Sequence, residues 1–275
     1  MVTAILFLFG VIFGSFINAL VWRLRKLETA KGKAVSAKYS ISRGRSMCVH
    51  CKHELAAKDL VPLFSWLALR GKCRYCKKHI SRQYPTVELV TGVLFAMSYA
   101  FWQFPIDSIA SIGVLVVWLA ALVLLIALAI YDIHWYELPD RLVFPLIGLA
   151  LVFASLSMYA QSDLTVLVQS LFGSALIFSI FWVLFQVSKG EWIGGGDVKI
   201  AFALGAFAGG ATESLLVIFI ASLLGTLLAV PSLLKAGAIK GVKIPFGPYL
   251  ITATILVVLF GDSVISWYQN LFALS

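Results

Sequence analysis

Charged side chains are scarce in this chain of 275 residues: only 13% are Asp, Glu, Lys or Arg, while 61% are hydrophobic. That composition is too apolar for a soluble globular protein. Apolar stretches long enough to cross a hydrocarbon core of about 30 Å recur along the chain and predict an all-α, polytopic membrane helix bundle. The eight predicted spans cover residues 2–22, 86–104, 108–131, 141–160, 164–187, 198–210, 212–234 and 247–270.

Lys and Arg are missing from the loops on one side of this predicted bundle. With eight spans, all 22 basic residues fall on the other side, and sixteen of them lie between Arg23 and Arg82. Cytoplasmic loops collect Lys and Arg, so the basic loops are predicted to be cytoplasmic and both termini to lie outside. The net charge of +9 then reflects topology and attraction to membrane lipids, with no nucleic-acid partner expected.

Cysteine occurs only four times, in Cys48-Val49-His50-Cys51 and, 21 residues later, in Cys73-Arg74-Tyr75-Cys76. Two CxxC pairs at this spacing are typical of a zinc ribbon, because each pair supplies half of a tetrahedral thiolate site. All four cysteines are therefore predicted ligands of a structural Zn²⁺. Disulfides or free thiols are the alternative, although a cytosolic location disfavours stable disulfides. His50 or His53 could also replace one ligand.

Acidic residues number only 13, and two of them share one predicted membrane face. Asp132 follows the third span, and Asp197 follows Gly194-Gly195-Gly196 at the start of the sixth. An acid near hydrocarbon is costly, so it is a candidate functional residue whose partner should be sought. If these carboxylates meet, one holds a proton while the other activates water, as in aspartic proteases. The helix start favours Asp197 as the ionised member, although a coupled pair can reverse that order.

Other interpretations of these acids stay open at this point. Both aspartates could be ordinary interfacial helix caps. A transporter that uses the paired acids is the leading non-enzyme alternative, and it predicts acids near the bilayer midplane together with an internal repeat. A metalloprotease is disfavoured because the chain has no HExxH motif.

Residues around Asp197 form a candidate substrate and active-site loop. Glycines at 194, 195 and 196 would let another helix or an extended substrate approach Asp197 closely. Lys199 could pair with a carboxylate or a lipid phosphate, or extend to water.

The chain resembles the type 4 prepilin peptidases, also called prepilin leader peptidase/N-methyltransferases, over nearly its whole length. The resemblance lies in the order and spacing of several blocks. These are Gly14 to Asn18, Arg45 to Cys51 with Gly71 to Cys76 and Ile80 to Glu88, Asp132 to Asp140, Gly194 to Lys199, and Pro245 to Pro248. The sequence departs from common members at Val49, where proline often follows the first cysteine, and at Trp192-Ile193 before the glycines.

This resemblance implies a GxGD-type membrane aspartic endopeptidase with Asp132 and Asp197 as its catalytic pair. It implies a multi-pass protein of the bacterial inner membrane, whose cytoplasmic active site cuts the leader from prepilins or pseudopilins of type IV pilus or type II secretion systems. Bifunctional members also methylate the new N-terminal residue with S-adenosylmethionine, an activity associated with the cysteine-bearing loop. No catalytic metal is implied.

Three regions are predicted along the chain. Residues 1–22 form a first transmembrane helix, which lacks a basic n-region and a small-residue cleavage site and is expected to be retained. Residues 23–85 form the cytosolic four-cysteine domain, a small zinc-ribbon-like insertion between helices 1 and 2. Residues 86–275 form the membrane peptidase domain.

Overall fold

The structure, a computed structural model, describes residues 1–29, 39–41, 44–236 and 244–273, and their side chains except for 229–236 and 272–273. In this part of the chain the regular secondary structure is helical, with two isolated β-bridges near the cysteines. The predicted all-α class is therefore confirmed for these residues. Several basic residues that the predicted topology uses lie outside them, namely Lys31, Lys33, Lys38, Arg43, Lys240 and Lys243.

The helices follow the predicted spans closely. In chain order they are α1 (Val2–Thr29), α2 (Phe64–Ala68), α3 (Gln83–Ala100), α4 (Ile109–Trp135), α5 (Asp140–Gln161), α6 (Leu164–Ser188), α7 (Gly195–Ala208), α8 (Ala211–Ala236) and α9 (Gly247–Ala273). A single 3₁₀ turn, Ala57–Asp59, precedes α2.

Six of these helices are long and apolar enough to cross a membrane: α1, α4, α5, α6, α8 and α9. The chain is thus a multi-pass membrane protein. The two remaining predicted spans match α3, whose first turn is polar, and α7, whose 14 residues extend about 21 Å at 1.5 Å per residue. A length of that size falls short of the hydrocarbon core. The count of eight spans stays a prediction.

The chain divides into two compact units, Met1–Ala100 and Phe101–Ser275. In the first unit α1 packs along α3. Glycine makes this contact possible, because a Cβ at Gly10 would lie 2.7 Å from the carbonyl oxygen of Thr91. The three regions predicted from sequence were divided by membrane topology, whereas these two units are divided by compactness. The three regions therefore stay a prediction.

In the second unit the short helix α7 lies at the centre. It contacts α5, α6, α8 and α9, and nine of its 14 residues are buried. Three aromatic rings join α4, α5 and α7: Trp118, Phe153 and Phe207 have ring centroids 5.3–6.3 Å apart. Aromatic pairs at such distances stabilise beyond their area burial. This cluster ties together the helices that carry Asp132 and Asp197.

Candidate active site and metal centre

Asp132 lies in the last turn of α4, which ends where Tyr136 adopts a left-handed conformation with φ 56°. The Asp132 side chain is buried, with 5% of the residue exposed. Its Oδ2 accepts a hydrogen bond of 3.1 Å from the backbone N–H of Gly247, the first residue of α9. A buried carboxylate therefore receives its donor from a helix 115 positions away in the chain.

Asp197 lies in the first turn of α7, after Gly194 in the N-cap position. Its Oδ1 is buried and accepts no hydrogen bond from the described residues. Burial and the negative charge of Asp132 raise the pKa of Asp197 above that of an ordinary aspartate. A hydrogen bond with the backbone of Gly194 acts in the opposite direction and does not reverse the shift.

The two carboxylates face one small space, and Gly247 forms its wall. A Cβ placed on Gly247 would lie 2.7 Å from Oδ2 of Asp132 and 3.6 Å from Oδ1 of Asp197. Glycine is therefore needed here for close approach, and a larger residue would push into the acids. Sequence reasoning quoted Gly247 within the block from Pro245 to Pro248 but gave it no role. The signal that could have indicated its role is a glycine at a helix start, flanked by Pro245 and Pro248.

The glycine loop before Asp197 works through lack of bulk rather than through unusual backbone angles, since none of its glycines has a positive φ. At Gly196 a Cβ would lie 2.9 Å from Cβ of Leu138, in the connection between α4 and α5. The glycine thus brings the start of α7 against the segment that follows Asp132. Lys199 lies on the next turn, where its Nζ forms an exposed 2.7 Å ion pair with Asp140.

The four cysteines of the first unit lie together as free thiols. Their Sγ atoms are all within 4.8 Å of one another, and those of Cys48 and Cys76 are 3.9 Å apart. Zn–S bonds of 2.3 Å in a tetrahedron imply Sγ separations of about 3.8 Å. The predicted cluster is confirmed, and its donor set fits a tetrahedral divalent metal.

Two hairpins with the same geometry supply these thiols. The N–H of Cys48 donates to the carbonyl of His53, and the N–H of Cys73 donates to that of Lys78, each at 2.9 Å. The fifth residue of each hairpin has φ 60°, and both of these residues are lysines, Lys52 and Lys77. The isolated bridges Met47–Glu54 and Lys72–His79 close the two hairpins at equivalent positions.

The pKa values of two of the thiols are shifted in opposite directions. Burial favours the protonated form of Cys48, but N–H groups of Cys51 and His50 and two neighbouring thiols lower its pKa to about 7. A hydrogen bond from Lys78 lowers the pKa of Cys76, yet burial and the other thiols raise it to about 11. A bound cation would relieve this competition, since metal ligands are thiolates.

Asp59 fixes the loop beside this cluster. Burial works against its charge, but Nε of Arg74 at 2.6 Å, the Tyr75 hydroxyl at 3.0 Å and the N–H of Ala56 lower its pKa. The 3₁₀ turn is thereby joined to the second CxxC hairpin.

Comparisons with known proteins show the family to which the chain belongs. The chain matches the Bacterial Peptidase A24 N-terminal domain over residues 8–104 and the Type IV leader peptidase family over residues 119–230. It is 36% identical to a protein of Pseudomonas aeruginosa, over 95% of this chain and 91% of that protein. The chain belongs to the prepilin leader peptidase family.

Other members of the family give the same result. A protein of Stutzerimonas stutzeri is 34% identical over 94% of this chain and 91% of its own length. One of Bacillus subtilis is 32% identical over 96% and 97% respectively. All three relatives are named prepilin leader peptidase/N-methyltransferase. No solved structure matches the chain. The first family match contains the four cysteines and the second contains both aspartates, whereas Gly247 lies beyond it.

Proposed function

We propose that this chain is a prepilin leader peptidase/N-methyltransferase in which Asp132 and Asp197 are the catalytic pair. The observation that carries the proposal is the shared space at Gly247, which both carboxylates border. Its substrates are prepilins or pseudopilins, whose basic leader is cut after a glycine and before the hydrophobic segment. The transporter alternative gains no support, since both acids lie at helix ends.

Peptide cleavage needs one ionised and one protonated carboxylate. The N–H of Gly247 stabilises the charged form of Asp132, while burial and the charge of Asp132 favour the proton on Asp197. We therefore assign the proton to Asp197, the reverse of the order expected from the helix dipole. Asp132 takes a proton from the attacking water as Asp197 protonates the scissile carbonyl oxygen. Asp132 then gives that proton to the leaving amine as the C–N bond breaks, and Asp197 regains a proton from the collapsing gem-diol.

The second activity acts on the amine that cleavage releases. S-adenosylmethionine supplies an electrophilic methyl group, which leaves its sulfur as the amine nitrogen forms the new N–C bond and loses a proton to solvent. The names of the relatives support this activity.

We assign a structural Zn²⁺ to Cys48, Cys51, Cys73 and Cys76. The distances between thiols and the two matching hairpins support this assignment and a zinc-ribbon-like insertion. Four protein ligands close the coordination sphere, which is typical of a structural rather than a catalytic zinc.

We place the protein in the bacterial inner membrane, with eight spans, both termini outside and the active site facing the cytoplasm. The basic residues between the first two predicted spans support this orientation. Membrane lipids are then permanent partners, and the basic leader of a prepilin reaches the carboxylates from the side on which it is synthesised.

The test is cleavage of a prepilin in liposomes with S-adenosylmethionine present, with product masses read by mass spectrometry. Wild type should release the leader and add the mass of one methyl group to the mature protein. Asp132→Asn and Asp197→Asn should each lower cleavage by about 10³-fold or more, since both remove acid–base catalysis. Cleavage at the wild-type rate in either variant would refute the catalytic pair.

A further inference from the structure

Four large apolar side chains are exposed within eight residues of the loop that carries the cysteines. Phe64 is 71% exposed and Leu67 is 63% exposed, and both belong to the short helix α2. Leu60 and Val61, just before α2, are exposed as well. We call these four side chains the apolar edge. Exposed apolar residues that are scattered singly are ordinary, but a group of them marks a surface that contacts a protein or a membrane.

The backbone at the centre of the apolar edge is strained. Leu63 has φ 60° and ψ −55°, and the N–H of Phe64 donates to the carbonyl of Pro62 at 2.6 Å. These features define a γ-turn of the rare, strained form with positive φ. Such a conformation persists only where its surroundings fix it. Here the N–H of Leu63 donates at 2.7 Å to Oε2 of Glu88, a buried residue of α3. Helix α3 therefore holds the turn from which α2 starts.

The hydrogen bond to Glu88 places the apolar edge at a definite level along α1 and α3. These helices pack at Gly14, where a Cβ would lie 2.5 Å from Cα of Glu88. Within α1, the exposed large apolar side chains run from Val2 to Phe16 and stop there. Within α3 they begin at Leu89. The apolar edge thus lies at the level where the exposed apolar surface of both helices ends.

This level coincides with the boundary of the membrane. Helix α1 is long and apolar enough to cross a bilayer, so its exposed apolar side chains face acyl chains, and headgroups lie where those side chains end. Apolar side chains at that level are buried between headgroups and acyl chains. Lys58 and Arg70 flank the apolar edge and are exposed, and neither forms an ion pair within the part of the chain that the structure describes. Basic side chains beside a membrane attract anionic headgroups.

We propose that the apolar edge inserts into the cytoplasmic leaflet and anchors the cysteine-bearing loop to the membrane surface. Its partner is the lipid bilayer, whose acyl chains cover Phe64 and Leu67 and whose anionic headgroups meet Lys58 and Arg70. Removal of the four side chains from water offsets the strain at Leu63. The proposal rests on the proposed topology, in which α3 is a span and the loop is cytoplasmic, and it adds a third lipid contact to the first unit.

The first cysteine hairpin is an internal reference that lies farther from the bilayer. Nζ of Lys52 lies 5.5 Å from the ring centroid of Trp22 on α1. A rise of 1.5 Å per residue puts Trp22 about 12 Å beyond the level of Gly14. Val49, in the same hairpin, is 38% exposed, close to the 40% of Leu60. Val49 is thus as exposed as part of the apolar edge, but it lies beyond the reach of acyl chains.

The test uses full-length wild type in nanodiscs of phosphatidylcholine and phosphatidylglycerol that contain a phospholipid with a photoreactive diazirine in the upper part of its acyl chain. After irradiation, mass spectrometry maps the lipid adducts along the chain. The adduct yield at residues 60–67 should lie within about threefold of that at residues 89–93 of α3, and about tenfold or more above that at residues 49–53.

The variant that tests the apolar edge combines Phe64→Gln with Leu67→Gln, which removes its two most exposed apolar side chains. The adduct yield at residues 60–67 should fall by about fivefold or more, because insertion scales with the apolar area that is buried. Val49→Gln is the matched control and should leave that yield unchanged. Residues 89–93 should be labelled in both variants as in wild type. If the double variant does not fold, the yields in wild type still decide.

Three results would overturn the proposal. The first is a wild-type yield at residues 60–67 no higher than at residues 49–53, and the second is an unchanged yield in the folded double variant. The third is loss of adducts from residues 60–67 but not from residues 89–93 when saturating prepilin is added, because the apolar edge would then bind the hydrophobic segment of the substrate. Labelling of residues 89–93 separates the two accounts, since an unlabelled α3 would count against the proposed topology itself.

Discussion

The thiols of the first unit come from two short hairpins that repeat one backbone pattern, each with its own internal hydrogen bonds. The carboxylates of the second unit come from opposite ends of two different helices, and a third helix donates to one of them. One site is therefore assembled locally around a tetrahedral donor set. The other depends on how α4, α7 and α9 pack.

This difference determines what each site is sensitive to. If the cluster of four thiols holds zinc as proposed, it should be unstable without the metal, because the free energy of metal binding contributes to folding in such small sites. A site built by long-range packing is instead sensitive to shape, because interiors are close-packed and a single added carbon must displace something. The cysteine cluster should thus respond to loss of metal, and the carboxylate pair to added side-chain volume.

Metal removal should have the largest structural effect, and it should fall on the first unit. Cys73→Ser, or a strong chelator, should lower the zinc content from one per chain to below half. Because structural zinc contributes on the order of 10 kcal/mol to folding of such sites, residues 44–82 should become sensitive to proteolysis. Elemental analysis and limited proteolysis measure both. Full zinc content in Cys73→Ser would exclude the four-cysteine centre.

Gly247→Ala should disturb the carboxylate pair, since the new methyl carbon would lie 2.7 Å from Oδ2 of Asp132. Misplacement of a catalytic group by about 1 Å costs on the order of 100-fold, so kcat/KM for prepilin cleavage should fall by about that factor. Gly148→Ala is the control, because a Cβ there meets nothing within 4 Å. Equal activity of the two variants would show that the space beside Gly247 is not part of the site.

Asp59→Asn should weaken the loop of the first unit by about 1 kcal/mol, because it removes the charge that Arg74 and Tyr75 bind, and Arg74 is partly exposed to screening solvent. The pKa of Asp59 is lowered in the folded protein, so this contribution is present at neutral pH. It is lost as pH falls below the ordinary value of about 4 and through the folded pKa.

Hydrogen exchange at residues 56–60 measures this contribution across that pH range. Asp59→Asn should exchange faster than wild type at pH 7, and the difference should shrink in acid. A difference that grows on acidification would contradict the assigned role of Asp59.

The smallest effect concerns the left-handed lysine of the second hairpin. Lys77 has φ 60°, where a β-branched residue is strained, so Lys77→Val should cost about 1 kcal/mol of zinc-linked stability. Lys77→Gly should lose at most about 0.5 kcal/mol of stability relative to wild type. Glycine adopts this conformation readily, although ordering it costs more backbone entropy. Lys78→Val is the control without positive φ. Competition with a chromogenic zinc chelator resolves these differences.

Features that depend on neighbouring residues were predicted well from sequence. The span predicted at 141–160 is the helix Asp140–Gln161, and the CxxC spacing predicted a cluster that the structure brings together. The helix α1 runs to Thr29 rather than to residue 22, because a span prediction ends at Arg23 while the helical backbone continues through polar residues. A hydrophobic pattern predicts which residues lie in the membrane, but it does not predict where the helical backbone ends.

Features that depend on distant residues were missed. Gly247 acquires its role only when α9 meets α4 and α7, and the proton order within the pair depends on which carboxylate receives its N–H. The helix-dipole argument used local sequence alone, whereas the order that we propose also rests on the N–H of Gly247. Likewise, no burial of Glu88 was predicted, whereas the close contact between α1 and α3 at Gly14 buries it.

The most direct test of the carboxylate pair is kcat/KM for prepilin cleavage by wild type, Asp132→Asn, Asp197→Asn and the double variant. Residues that act as one unit are strongly non-additive, so each single variant should lose about as much activity as the double variant. Losses that multiply in the double variant, or a single variant close to wild type, would show that the two aspartates do not act together.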